Sequence, residues 1–150
     1  MNHDSFMGMA LEEAGKAYRS AEVPIGAVVV SMEMEVLSRA HNSSISLCDP
    51  SAHAEVLALR QAAKKVKNYR LPDCILYVTL EPCAMCVGAM LQARIGTLVF
   101  GASDPKAGAA GSVVDLTKIP TFNHYIEVVA GIRGSDCAEL LRCFFRERRK

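Results

Sequence analysis

A chain of 150 residues with a formal net charge of +1, of which 51% are hydrophobic and 22% charged, is sized and composed for one globular domain with its own core. That balance excludes a disordered chain and any global electrostatic pull toward nucleic acid or an acidic membrane, so an anionic partner has to be gripped locally. No stretch is long and apolar enough to span a bilayer, and the opening MNHDSFMGMALEEAGKAY lacks the basic start, apolar run and cleavage site of a secretory leader.

Phe6, Met9, Ala10, Ala14 and Ala17 recur at helical spacing over residues 5–20, and Val23-Pro24 stops the pattern. IGAVVVS (25–31) and EVLSRAH (35–41) are short β-branched runs that can pair as a hairpin, although MEM between them carries no diagnostic turn signal. Ser51 is placed to cap a helix over 52–67 whose buried face is marked by Val56, Leu59, Ala63 and Val66. CILYVTL (74–80) has the continuous apolar character of a strand covered on both faces. Pro82 fits the first position of a helix reaching Arg94. GTLVFGA (96–102) and YIEVVAG (125–131) read as two more strands. The segment 103–124 between them is too rich in Gly and Pro for regular structure, and loops of that length usually carry function. A last helix from Ser135 bears a stripe of Cys137, Leu140, Leu141, Phe144 and Phe145. Strands alternating with helices predict an α/β sandwich on one mixed five-stranded sheet, with residues 1–150 forming a single domain.

The six cysteines of a chain expected in the cytoplasm stay reduced and serve as metal ligands, nucleophiles or core residues. Cys83 and Cys86 have the Cys-x-x-Cys spacing that offers two sulfurs to one ion, and a helix start favours their thiolate forms. His53, in the first turn of the other predicted helix, supplies the third ligand. Three protein ligands leave one coordination position for water, which is the arrangement of a catalytic zinc site. Two residues along a helix turn by about 200°, so Glu55 is an awkward ligand beside His53. At the helix end it can still reach the same pocket, where a carboxylate serves as general acid and base. A structural site would need a fourth ligand, and His124 is the weaker reading because it has no partner spacing. Cys48, Cys74, Cys137 and Cys143 are read as small buried hydrophobes.

HAE followed by PCAMC has the His-x-Glu and Pro-Cys-x-x-Cys pattern of zinc-dependent nucleobase deaminases. Beyond it, VPIGAVVV, His41-Asn42, DPSAHAEVLALR, NYRL, LYVTLEPCAMCVGAMLQARI, VFGASDPKAGAAGS and FFRERR closely resemble the bacterial tRNA adenosine deaminases over nearly the whole chain. The resemblance implies a homodimeric, three-layer cytidine-deaminase-like fold with one Zn²⁺ per subunit, converting the wobble adenosine of an arginine tRNA anticodon to inosine. It places Asn42 and the backbone N–H of Ala54 against the purine. It gives Asp104 and Lys106 to flanking nucleotides, and Phe145, Arg148 and Arg149 to the anticodon strand. RCFFRERRK also gathers arginines beside two aromatics, a combination suited to phosphates and unstacked bases, or equally to a helix end complementing its own dipole. Two rivals stand beside this reading. One is a deaminase of free cytosine, guanine or a nucleotide, and the other is a non-enzymatic zinc-stabilised RNA-binding module.

Overall fold

Five short runs pair into one mixed sheet, and three of them, GAVVV, ILYVTL and EVVA, are rich in branched residues that suit a pleated surface. In the computed structural model residues 2–148 are described. The elements in chain order are α1 (His3–Arg19), β1 (Gly26–Val30), β2 (Val36–His41), α2 (Ala54–Val66), β3 (Ile75–Leu80), α3 (Ala84–Ala93), β4 (Thr97–Ala102), β5 (Glu127–Ala130) and α4 (Gly134–Arg148), with a short 3₁₀ turn at Pro120–Phe122. The sheet order is β2-β1-β3-β4-β5. β1 runs antiparallel to both of its neighbours, whereas β3, β4 and β5 are parallel, so β2, β3, β4 and β5 all end at the same edge.

Alternation along the strands sorts the core into two layers. Val28, Val30, Tyr77 and Val99 meet Phe6, Met7 and Ala10 of α1 and Cys137 of α4 on one face. Ala27, Val29, Leu76, Val78, Leu98 and Phe100 meet α2 and α3 on the other, through Ala58, Leu59, Ala62, Val87 and Met90. The result is the expected three-layer sandwich. Fully burying a side chain such as Phe6, Met7 or Met90 contributes about 1.5–3 kcal/mol each.

Gly26 sets the separation between α1 and the sheet. A Cβ there would fall on the Ala10 carbonyl oxygen and lie 2.6 Å from the Ala14 nitrogen. Gly26→Ala is therefore expected to destabilise the fold by about 3 kcal/mol, read as a lower urea midpoint with an unchanged slope. An unaltered midpoint would mean that the helix can move off the strand at no cost.

Several boundaries differ from the sequence expectation. α1 begins earlier, because the Asn2 side chain accepts the Ser5 N–H at 3.0 Å as its N-cap. Ser51 does not cap α2: its N–H and hydroxyl both donate to Asp49 Oδ1, making a turn, and His53 occupies the N-cap position. The buried face of α2 runs through Ala54, Val56, Ala58, Leu59 and Ala62, while Val66, the last residue of the helix, is 42% exposed. α3 starts at Ala84 with Cys83 at the N-cap, so Pro82 precedes the helix and does not open it. In the MEM turn Met34 takes a left-handed φ of 66°. Cys74 and Cys137 are buried as expected, but Cys48 is exposed in the 43–49 turn and Cys143 is only half-buried on α4. On α4, Cys137 and Phe144 are buried, Leu140 and Leu141 half-buried, and Phe145 is exposed.

Candidate active site

The shared edge where β2, β3 and β4 end is also where α2 and α3 begin, and it is the usual place for a site in an open α/β sheet. Both helices present a ligand-type side chain from the N-cap position, where the backbone is extended and the side chain points past the helix end: His53 at φ −74°, ψ 151° and Cys83 at φ −78°, ψ 175°. Neither side chain caps its own helix. For α2 that task passes to Asn42, just beyond β2, whose Oδ1 accepts the Ala54 N–H at 2.8 Å.

His53 Nδ1 lies 3.7 Å from Cys83 Sγ and 3.4 Å from Cys86 Sγ, and the two sulfurs are 3.7 Å apart. A tetrahedral ion with bonds of about 2.3 Å to sulfur and about 2.05 Å to nitrogen requires about 3.8 Å between sulfurs and about 3.6 Å between sulfur and nitrogen. The three side chains fit that geometry, and among the described residues they are the group able to hold a metal ion. The hydrogen bond from Cys86 holds the Cys83 thiol down to about 5. The same bond, then burial, pushes the Cys86 thiol up, so Cys83 ionises first. His124 is not a fourth member of the group, since its Nε2 is 2.8 Å from the Ile95 carbonyl oxygen.

Glu55 is only 4% exposed, and its Oε1 is a buried acceptor with no protein partner. Burial pushes its carboxyl up to about 7, and the neighbouring His53, Cys83 and Cys86 side chains bear on the same group. A buried carboxylate oxygen without a donor costs about 1–3 kcal/mol or more, a strain that functional sites tolerate. Chemically, the edge offers a soft tridentate metal cradle beside a carboxyl poised near neutrality, which is equipment for hydrolysis with proton transfer.

The remaining predicted site residues fall into distinct positions. Asn42 is buried, with its N–H donating to the Ile25 carbonyl and its carboxamide oxygen taken by Ala54. The Ala54 N–H is therefore committed to Asn42. The Asn42 carboxamide nitrogen has no partner among the described residues and is the donor this corner has to offer. Asp104 follows β4 and turns the chain by accepting the N–H groups of Lys106 at 3.0 Å and Ala107 at 3.2 Å, leaving the Lys106 side chain exposed. Phe145 is 43% exposed and stands edge-on to Phe144, which packs against Tyr18. Arg148 lies over the Phe144 ring and donates to the Ala21 carbonyl at 2.8 Å, tying the end of α4 to the segment that leads into β1. Since β1 starts where β3 ends, the tail is drawn to the site's edge of the sheet. Arg149 lies outside the described residues.

Two buried carboxylates at this edge escaped the sequence reading. Glu22 accepts the N–H groups of Ile45 at 3.1 Å and Ser46 at 2.7 Å, and Glu81 accepts those of Asp104, Ala110 and Ser112. Burial alone would raise either carboxyl, but these donors outweigh it and hold both below the usual carboxylate range. The available signal was an acidic residue set against a β-branched or fully apolar run, at Glu22-Val23-Pro24 and Leu80-Glu81-Pro82.

Comparison with known proteins gives a consistent grouping. Residues 1–149 match the family described as MafB19-like deaminase. The tRNA-specific adenosine deaminase of Haemophilus influenzae is 47% identical over 147 residues, covering 98% of this chain and 85% of that protein. A structure solved in a study of A-to-I editing by tRNA:A34 deaminases superposes with a TM-score of 0.88 at 45% identity, covering 91% of this chain and 99% of that one. A guanine deaminase from Nitrosomonas europaea superposes with a TM-score of 0.81 at 25% identity, covering 94% and 83%.

Proposed function

This chain belongs to the MafB19-like deaminase family and, by identity over nearly its whole length, to the tRNA-specific adenosine deaminases, and from that premise we propose that it hydrolyses the wobble adenosine of a tRNA anticodon to inosine. The observation that carries the chemistry is the unpartnered buried carboxylate oxygen of Glu55 set beside the His53, Cys83 and Cys86 triad. The soft N,S,S donor set and its tetrahedral spacing support zinc, one ion per subunit. When bound, zinc lowers the pKa of a coordinated water to about 7 and so supplies a nucleophile at neutral pH.

Glu55 is the proton carrier. It takes a proton from the attacking water and delivers it to N1 of the adenine, then takes the second proton from the oxygen now bonded to C6 and delivers it to the exocyclic nitrogen. A bond forms between water oxygen and C6, the bond from C6 to the amine breaks, and ammonia leaves, so that adenosine and water become inosine and ammonia. Asn42, through its free carboxamide donor, is assigned to the purine edge, with Ala54 behind it as the residue that orients that carboxamide. Asp104 and Lys106 are assigned to nucleotides flanking the target, and exposed Phe145, with Arg148 and Arg149, to the anticodon strand. An arginine tRNA as substrate, a homodimer and a cytoplasmic setting complete the reading. No helix among the described residues is long and apolar enough to cross a membrane.

The similarity to a guanine deaminase gives the rival its weight, and one assay separates the two. Purified protein mixed with an anticodon stem-loop carrying wobble adenosine is expected to yield inosine, with no product from free guanine or cytosine. Product from a free base and none from the RNA would reverse the assignment.

A further inference from the structure

Glu81 sits between the end of β3 and Cys83, is 2% exposed, and does not belong to the metal group. Its carboxylate gathers the loop that follows β4. Oε1 accepts the Asp104 N–H at 3.0 Å and the Ser112 hydroxyl, and Oε2 accepts the N–H groups of Ala110 at 3.0 Å and Ser112 at 3.1 Å. Gly108 passes directly over this carboxylate, where a Cβ would leave no room for it. The Ala109 N–H meanwhile donates to the Pro82 carbonyl at 2.9 Å, fastening the loop to the start of α3. A group that only accepts is required at the centre of four converging donors. A carboxamide would turn its own N–H₂ toward the two donors that meet one of these oxygens and lose at least one of the backbone bonds.

We propose that Glu81 is a positioning residue for RNA, a buried carboxylate that folds the 104–112 loop into one conformation and fixes Asp104 and Lys106 relative to the metal ligands on α3. The inference rests on the reading that this loop meets nucleotides flanking the target base. Both Glu81 oxygens are occupied by loop donors, and the side chain stands outside the His53, Cys83 and Cys86 group. It acts through the loop, so its loss falls on binding more than on the chemical step.

The test compares the metal-loaded parent with Glu81→Gln and Ser112→Ala. The second variant removes a single donor and keeps the scaffold if the first fails to fold. For Glu81→Gln on the anticodon stem-loop, KM is expected to rise about tenfold with kcat within about threefold and zinc content unchanged; Ser112→Ala is expected to move KM the same way by less. Independently of activity, amide hydrogen exchange at Ala110 and Ser112 is expected to quicken about tenfold in Glu81→Gln while the core strands keep their protection. Unchanged exchange at those amides, or a fall in kcat with KM unmoved, overturns the proposal. Should the parent not deaminate the stem-loop, the functional reading fails by itself, and the exchange measurement still decides whether Glu81 orders the loop.

Discussion

Replacing Glu55 with alanine is expected to slow inosine formation by about 10³–10⁴-fold while the protein keeps its metal. The separation follows from the geometry. The metal cradle closes on His53 Nδ1 and two sulfurs without help from a carboxylate. A divalent ion with two thiolates is formally neutral, so nothing draws Glu55 strongly onto it. Oε1, moreover, has no protein donor to lose. Removing an unsatisfied buried oxygen relieves about 1–3 kcal/mol, which roughly offsets the packing lost with the side chain. The melting temperature is then expected to stay within a few degrees of the parent. Glu55→Gln keeps the volume and removes the titrating oxygen, and it is expected to be as inactive as the alanine variant. Single-turnover inosine formation with zinc content measured on the same sample checks both variants, and retention of a tenth of the parent rate by Glu55→Gln would exclude the acid–base role.

How much of this was legible in the sequence depended on how far apart the cooperating residues lie. The central strands β1 and β3 are legible in the runs Gly26–Val30 and Ile75–Leu80, because burial on both faces leaves almost no polar position to confuse the pattern. His53, Cys83 and Cys86 were legible through ligand type and spacing, and the structure brings them to tetrahedral separations. The starts of α2 and α3 differ from the expectation for a single reason: a side chain turned past the helix end toward the His53, Cys83 and Cys86 cluster does not also cap its helix. Ser51 looked like the local cap of α2, yet the cap atom comes from Asn42, a strand end 12 positions upstream that no local window connects. Pro82 looked like the first residue of α3, yet Cys83 needs the extended N-cap backbone to turn its sulfur outward, and the proline is pushed ahead of the helix. Glu22 and Glu81 were invisible for the same reason in larger measure, since the backbone donors that bury them come from 23 to 31 positions away. Cys48, expected as a small buried hydrophobe, is exposed because it lies in a surface turn held to the body by the N–H groups of Ile45 and Ser46 on Glu22.

Stripping the metal is expected to cost stability as well as activity. The three ligands come from two helices, α2 and α3, that touch each other beside the sheet, so an ion held between them stabilises the native chain and has no equivalent site in the unfolded one. An ion present at about 1,000 times its Kd adds about 4 kcal/mol, and in a domain of this size each kcal/mol moves the melting temperature by about 2–4 °C. Dialysis against a strong chelator is therefore expected to abolish deamination and lower the melting temperature by about 10 °C, with both restored by stoichiometric Zn²⁺. Cys86→Ala should reach the same inactive, less stable state without the chelator, because the fully buried Cys86 sulfur is the ligand closest to His53. Cys48→Ser serves as the matched control: its thiol is exposed and only 3.8 Å from the Ile45 carbonyl oxygen, so metal content, rate and melting temperature should all hold. If Cys86→Ala binds one equivalent of zinc and melts with the loaded parent, the cradle is not where these three side chains converge, and Glu55 loses the neighbour that gives its proton somewhere to go.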